Sequence, residues 1–270
     1  MCKARLYSCR QQSFQVYDLH ELQHDTELTH LKVDGCSGIQ SLPQEMNALV
    51  HLEGLHLTFL NLTSFDVKIR QMKGLLYLDL NSNPLGQIPS VLYDLPPLLF
   101  TLVLSNTSLS SLPEEALENW KDQLIVLSLD YNPQLTTFPM ALLQFQRLAS
   151  LDLSRTGMTY LPANFTLLQS LVEFEMSSCQ LKTLPALDQL PLLGLLNLAN
   201  NSLDHPPLLP RPPETFLMLE WSLNPFCALE MHRDTIACTP PTCSPDCSRQ
   251  SWAKHYCPLG CASCLHPHCL

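Results

Sequence analysis

Nine segments of the chain match one template, L-x-x-L-x-L-x-x-(N/C/T)-x-L, and successive copies begin 22 to 25 residues apart. The copies begin at Leu28, Leu52, Leu75, Leu99, Leu124, Leu148, Leu171, Leu193 and Phe216. A unit this short cannot bury its apolar side alone, so it must pack against its neighbours. The periodicity therefore predicts a solenoid of stacked units and argues against most enzyme folds.

The pattern inside each copy predicts one short strand. In the copy that begins at Leu148, the apolar Leu151 and Leu153 flank the polar Asp152, which is the alternation of a strand with one buried face. A Leu-Pro or similar pair such as Leu161-Pro162 follows most strands, and Pro suits the start of a short helical segment. We expect an α/β solenoid with one parallel strand per repeat and short helical or 3-10 segments opposite the sheet.

These nine copies resemble the leucine-rich repeat family over about 200 of the 270 residues. The resemblance implies a horseshoe whose parallel strands form a concave, ligand-binding sheet. It also implies three regions: residues 1–27 as an N-terminal cap or the remnant of an earlier repeat, 28–226 as the repeats, and 227–270 as a cysteine-rich cap and tail.

The ninth template position must turn the chain and satisfy backbone groups that would otherwise be buried without partners. Asn serves this purpose best, and Cys or Thr can substitute. We predict such a turn ladder at Asn83, Asn132, Cys179, Asn201 and Asn224. Leu60 breaks the column, and the adjacent Asn61 is expected to take over its role. The same template predicts that Cys36 and Cys179 are buried free thiols.

The outward strand positions three, five and seven are predicted to form the ligand-binding surface. This surface is neutral or basic in the first two copies and acidic from Asp79 onward. The predicted contact residues are Tyr77, Asp79, Val103, Val126, Asp130, Asp152, Glu173, Glu175 and Glu220. The pattern favours a cationic protein or peptide ligand with apolar anchors. The alternative is a solvated face whose charges only maintain solubility. In both cases we expect an open, wet surface that leaves carboxylate pKa values unshifted.

Eight of the twelve cysteines lie between Cys227 and Cys269. Such a cluster indicates disulfides in a secreted protein or a metal site in a cytosolic one. The run Asn224-Pro225-Phe226-Cys227 resembles the start of the disulfide caps of extracellular leucine-rich repeat domains. The disulfide candidates are Cys2, Cys9, Cys227, Cys238, Cys243, Cys247, Cys257, Cys261, Cys264 and Cys269.

The alternative for the tail is a tetrahedral zinc site. Its candidate ligands are Cys257, Cys261, Cys264, His266, His268 and Cys269. The cysteine spacing also faintly resembles a Notch-type calcium-binding repeat. His266-Pro267-His268 stands where that family has acidic ligands, so calcium is not expected.

Composition and motifs exclude several functions. Fifteen basic and 25 acidic residues give a net charge of −10, which disfavours nucleic acid as a partner. No apolar run reaches the ~18 residues that a transmembrane helix needs. Phosphate-binding loops and hydrolase motifs are missing, so we expect neither an enzyme nor a cofactor.

The sequence gives mixed signals on location. Residues 1–12 lack the apolar stretch of a signal peptide, whereas the cysteine-rich tail suggests an extracellular protein, and a leader lost upstream would reconcile the two. Four sequons make Asn61, Asn106, Asn164 and Asn200 glycosylation candidates.

Two functions follow. The first is an extracellular recognition module, a receptor ectodomain fragment or secreted protein, that binds a protein or peptide on its concave face. The second is a cytosolic scaffold with a zinc-binding tail, because the Leu-Pro-containing units also resemble intracellular leucine-rich repeat proteins that assemble small-GTPase and phosphatase signalling complexes.

Overall fold

The structure is a computed structural model that describes residues 3–8, 19–212 and 215–229. The chain divides into two units, Met1–Cys238 and Thr239–Leu270, and the second lies outside the described residues. All the disulfide candidates except Cys227, and all the zinc candidates, also lie outside them. The predictions made for those residues stay predictions.

Ten strands form one parallel sheet in which the spatial order equals the chain order. The strands are β1 Ala4–Ser8, β2 His30–Asp34, β3 Gly54–Thr58, β4 Tyr77–Asp79, β5 Thr101–Val103, β6 Val126–Ser128, β7 Ser150–Asp152, β8 Glu173–Glu175, β9 Leu195–Asn197 and β10 Met218–Glu220. Nine strands follow the template, and the predicted leucine-rich repeat solenoid is confirmed.

The register of the sheet stacks equivalent template positions directly on one another. Leu31, Leu55 and Leu78 pair across β2, β3 and β4, and the same row continues through every later strand. These leucines are fully buried, as are nearly all the inward template residues. One continuous apolar core therefore runs the length of the sheet, with each repeat covering its neighbour.

The first strand, β1, precedes the nine template copies. It pairs in parallel with β2 over its whole length, from Ala4 opposite His30 to Ser8 opposite Asp34. Tyr7 packs against the core beside it. The N-terminal region therefore extends the sheet by one strand and covers the edge that β2 would otherwise expose.

The segments opposite the sheet are short, as predicted. In the described part of the chain the 3-10 helices are Glu21–His24, Gln44–Ala48, Ile69–Gln71, Ser90–Leu92, Met140–Gln144 and Phe165–Leu167. The α-helices whose bounds lie within it are α1 (Glu114–Trp120) and α2 (Pro225–Leu229). Proline stands at the N-cap of several, including Pro113 before α1, where its fixed φ and missing N–H cost nothing. Residues 204–212, which are rich in proline, contain no helix or strand.

Helix α1 lies in the longest repeat, the 25 residues between Leu99 and Leu124. The extra length allows a full α-helix whose Trp120 is completely buried. Its indole Nε1 donates to the carbonyl of Leu92 at 2.7 Å, which ties the helix to the preceding repeat. Within the described residues, no helix has the length and apolarity needed to cross a bilayer.

The ninth-position asparagines connect consecutive repeats. Asn132 Oδ1 accepts from the N–H groups of Thr107 and Leu109 in the previous repeat, at 3.0 and 2.9 Å. Its Nδ2 donates to the carbonyls of Leu104 and Leu129. The same pattern recurs at Asn83 and Asn201, and in part at Asn224.

Two predictions about the ninth column need correction. Asn61 is exposed and does not replace Leu60, which is itself fully buried in the ninth position of its repeat. Cys36 is buried as predicted but is disulfide-bonded and not a free thiol. Cys179 is buried and free, as predicted. A template position indicates burial, whereas a disulfide depends on which thiol lies nearby in space.

Candidate ligand-binding face

We define the concave face as the surface formed by template positions three, five and seven of β2 to β10. Position five gives one row across the sheet: Lys32, His56, Asp79, Val103, Ser128, Asp152, Glu175, Asn197 and Glu220. Position three gives a parallel row: His30, Gly54, Tyr77, Thr101, Val126, Ser150, Glu173, Leu195 and Met218. The register brings the predicted contact residues onto one surface.

The side chains of His56, Tyr77 and Asp79 contact one another on β3 and β4. The rings of His56 and Tyr77 stack with their centroids 4.5 Å apart. His56 Nδ1 lies 3.6 Å from Asp79 Oδ2, and the Tyr77 hydroxyl donates to the same oxygen at 3.5 Å. Burial, with repulsion from the Asp79 charge, raises the pKa of Tyr77 well above its usual range. Tyr77 therefore offers a protonated hydroxyl and an aromatic surface.

Four acidic side chains lie just after β6 or on β7 and β8, and we call them the central carboxylates: Asp130, Asp152, Glu173 and Glu175. Asp130 comes two residues after β6 and accepts a hydrogen bond from the Ser105 hydroxyl of the previous repeat. Burial, with repulsion from Asp152, raises the pKa of Asp130 to about 7. An aspartate with this pKa carries a substantial proton population at neutral pH.

The two glutamates on β8 behave similarly. Glu175 accepts from the side-chain amide of Asn197 at 3.2 Å, and Glu173 accepts from the Ser150 hydroxyl at 2.8 Å. Burial, with repulsion from Asp152 and Glu173, raises the pKa of Glu175 to about 8. Burial also raises the pKa of Glu173. These donors are neutral, so they compensate the charges only in part.

Asp152 has a local structural role that the sequence did not reveal. Its Oδ1 accepts from the backbone N–H of Ser154, two residues later, at 2.8 Å. Asp79 and Glu220 make the same contact with the N–H groups of Asn81 and Ser222, at 2.9 and 2.8 Å. A position-five carboxylate thus satisfies a backbone donor where the strand ends. The acidic residue at this position in these three repeats was the available sequence signal.

Exposure divides the nine predicted contact residues into two groups. Partly exposed are Tyr77, Asp79, Val126, Glu173 and Glu220. Buried are Val103, Asp130, Asp152 and Glu175, at 6%, 8%, 4% and 4% exposure. The expectation of unshifted pKa values is therefore wrong for Asp130, Glu173 and Glu175, and the expectation of an open, wet surface is wrong for Asp130, Asp152 and Glu175. Parallel strands lie only ~4.8 Å apart, so side chains of adjacent repeats shield one another.

The remaining candidates lie away from this face or flank it. Asn61, Asn106, Asn164 and Asn200 are all exposed. Asn106 and Asn200 adopt left-handed φ angles just after their strands and donate to the hydroxyls of Ser82 and Ser178, each at 3.0 Å. Cys227 is disulfide-bonded. Among the described residues, no group of three or more His, Cys, Asp or Glu is arranged to hold a metal ion.

The comparisons with known proteins agree with this architecture. The sequence pattern of the family described as Leucine Rich Repeat matches residues 74–95. Lumican from Gallus gallus is 28% identical over 167 residues, which is 61% of this chain and 40% of that protein. The chain thus spans well under half the length of this curated relative.

Two solved structures share the fold. The structure of the Drosophila Toll–Spatzle complex is 25% identical with a TM-score of 0.57, covering 69% of this chain and 26% of that chain. The TLR13–ssRNA13 complex is 21% identical with a TM-score of 0.61, covering 81% of this chain and 31% of that chain.

Proposed function

We propose that this chain, which belongs to the leucine-rich repeat family, binds a protein or peptide ligand on its concave face. The ligand presents positive charge to β6–β8. The observation that carries the proposal is the run of central carboxylates on adjacent repeats. Asp79 on β4 and Glu220 on β10 add further acidic side chains to the same face. Lysine or arginine side chains would complement this surface.

Apolar groups on the same face supply anchors beside the charges. Tyr77 and Val126 are partly exposed and lie on β4 and β6, on either side of the more buried Val103. Desolvated aromatic and aliphatic contacts usually provide most of the affinity of a protein interface, while surrounding charges set orientation and partner choice. An elongated cationic segment crossing β4 to β8 would contact both kinds of group.

Other ligand classes fit this face less well. Phosphate backbones would be repelled by the central carboxylates, so we do not propose the nucleic acid binding described for the TLR13 complex. Two features favour a cationic protein segment over a metal ion. The described residues form no metal-binding group, and several carboxylate oxygens already accept hydrogen bonds from serine hydroxyls and an asparagine amide.

We further propose that the protein acts outside the cell, as a receptor ectodomain fragment or a secreted glycoprotein. Cys36 and Cys227 are disulfide-bonded, and disulfides persist mainly in oxidising compartments. All four sequon asparagines are exposed and available to a glycosyltransferase. These observations favour the extracellular function over a cytosolic signalling scaffold with a zinc-binding tail.

The ligand-binding proposal can be tested with two peptides and two charge-matched variants. Octa-arginine and octa-glutamate are titrated into the full chain by fluorescence anisotropy. The face variant Asp79→Asn/Glu173→Gln removes two negative charges from the concave face and preserves side-chain shape. The control variant Asp94→Asn/Glu118→Gln removes two exposed charges opposite the sheet. We expect octa-arginine to bind and only the face variant to weaken it, by roughly tenfold.

The physiological ligand would then be sought in a library of purified extracellular proteins, with the same two variants as filters. A ligand lost by the face variant and retained by the control supports the proposal. Equal losses in both variants, or preferential binding of octa-glutamate, would contradict it. Peptide mapping of protein secreted from cultured cells tests the location, because a free thiol at Cys36 or Cys227 would argue against an extracellular protein.

A further inference from the structure

We infer that a cationic ligand displaces protons from the central carboxylates when it binds, so that the affinity of the concave face rises with pH through neutrality. The inference depends on the proposed ligand-binding function of this face and adds its regulation. It begins from the packing of four acidic groups in a small, poorly solvated part of the sheet.

The sheet register forces these groups together. Asp152 and Glu175 are direct partners across β7 and β8, and Glu173 lies on the same strand as Glu175. Asp130 lies two residues beyond the carboxyl end of β6, in the repeat before that of Asp152. Three of the four are more than nine-tenths buried. Charges held this closely in a region of low dielectric cannot all ionise without a large penalty.

The groups that contact the central carboxylates are mostly neutral donors. On the β5 side, the Ser105 hydroxyl donates to Asp130. On the β7 and β9 sides, the Ser150 hydroxyl and the Asn197 amide donate to Glu173 and Glu175. A neutral donor stabilises a carboxylate but does not cancel its charge.

Acidic groups on neighbouring strands add to the repulsion among the central carboxylates. Asp79 on β4 adds to the repulsion on Asp130, and Glu220 on β10 lies one strand beyond Asn197. The basic residues of the face, Lys32, His30 and His56, lie on β2 and β3, on the far side of Asp79. Arg155, which follows β7, stacks over the Tyr131 ring with its guanidinium carbon 4.7 Å from the ring centroid.

Protonation relieves the crowding in the unliganded protein. The pKa of Asp130 near 7 and that of Glu175 near 8 agree with this picture, since both groups then hold protons in part at neutral pH. A guanidinium or ammonium group placed over the face would favour the ionised carboxylates and lower their pKa. By reciprocity, removing the protons must strengthen the binding of that cation by the same factor.

Calorimetry tests the coupling directly. Octa-arginine is titrated into the full chain at pH 7 in two buffers of widely different ionisation enthalpy. Its guanidinium groups stay charged at every pH used, so any exchanged proton comes from the protein. We expect a difference in apparent enthalpy that corresponds to proton release into the buffer. We also expect binding to tighten from pH 6 to pH 8, by up to about tenfold per pH unit for each proton displaced per complex.

The variant Asp130→Asn/Glu175→Gln identifies the source of the protons. It keeps the local shapes and leaves Lys32, His30 and His56 of the same face unchanged. We expect it to abolish most of the proton release and to flatten the pH dependence, while the control Asp94→Asn/Glu118→Gln behaves like the parent. Circular dichroism verifies that both variants fold.

The outcomes separate this inference from the proposed function. Failure of octa-arginine to bind at any pH contradicts the proposed function and the inference together. Tight binding with no proton release, or release unchanged in Asp130→Asn/Glu175→Gln, overturns the inference alone. Carboxyl ¹³C NMR titration of the unliganded protein gives a check without ligand, because midpoints of Asp130 and Glu175 near 4 would also overturn it.

Discussion

Asp152 on β7 and Glu175 on β8 are paired in register, and each is only 4% exposed. Two acidic side chains on adjacent strands normally destabilise a sheet because like charges lie side by side. Here their neighbours are Ser128 on β6 and Asn197 on β9, which are neutral. This arrangement would link the stability of the repeats and the proposed ligand binding to the same protons.

The first prediction concerns the dependence of stability on pH. The folded pKa values of Asp130 and Glu175, about 7 and about 8, lie above their unfolded values near 4. Between those limits the folded state binds more protons than the unfolded state, so stability falls as pH rises. We expect the free energy of unfolding to be lower at pH 8 than at pH 5.5 by on the order of 2–4 kcal/mol.

Urea unfolding across this pH range measures the effect. The variant Asp130→Asn/Glu175→Gln should be insensitive to pH by comparison and more stable than the parent at pH 8. The control Asp94→Asn/Glu118→Gln, altered at exposed positions, should retain the parent's dependence. A parent that becomes more stable from pH 5.5 to pH 8 would show that the carboxylates are solvated.

The second prediction concerns the asparagine ladder. Asn132→Ala removes a side chain that accepts from Thr107 and Leu109 and donates to two buried carbonyls. Leaving such groups without partners should cost about 3 kcal/mol or more of unfolding free energy. Gln134→Ala, two residues away and exposed, is the matched control. Hydrogen exchange should show the loss of protection in the repeats on both sides of Asn132, and a purely local loss would argue against a connecting role.

The third prediction distinguishes two glycines. A Cβ at Gly157 would lie 2.4 Å from the carbonyl oxygen of Pro133 in the previous repeat, whereas a Cβ at Gly38 meets nothing within 4 Å. The backbone must move to admit the first, so Gly157→Ala should destabilise the protein by about 1–3 kcal/mol. Gly38→Ala should be neutral or slightly stabilising. The melting temperatures of the two single variants test this prediction. Equal values would contradict the close approach of the repeats at Gly157.

The fourth prediction concerns the chemistry of Cys179. Its thiol is 2% exposed, and burial raises its pKa. The reactive thiolate is therefore scarce and inaccessible in the native protein. We expect iodoacetamide to label Cys179 in denaturant and to leave it unmodified, by mass spectrometry, in native buffer at pH 8. Rapid native labelling would indicate that the repeat around Cys179 opens readily.

Local sequence was sufficient to predict the repeat fold. The alternation of Leu151, Asp152 and Leu153 assigns an inward and an outward face to a strand, and the constant interval places equivalent residues side by side. Because parallel strands in a solenoid stack in order, the residues that form the concave face could be identified from the template. The pairing of Asp152 with Glu175 across adjacent strands needed nothing beyond the template.

Several properties could not be read from the template. Asn61 was expected to replace Leu60, but Asn61 is exposed and Leu60 itself is fully buried in the column. Cys36 was expected to be a free thiol, yet it is disulfide-bonded.

The sequence by itself determined the repeat number, the order and direction of nine strands, and the residues that form the inner and outer faces. These depend on periodic burial, which is a local property of the chain. Only the tertiary structure decided that Asp130, Asp152 and Glu175 are shielded from water, and that Asp130 and Glu175 have raised pKa values. Shielding depends on the close spacing of neighbouring strands and on the side chains that surround each carboxylate, and no single repeat contains that information.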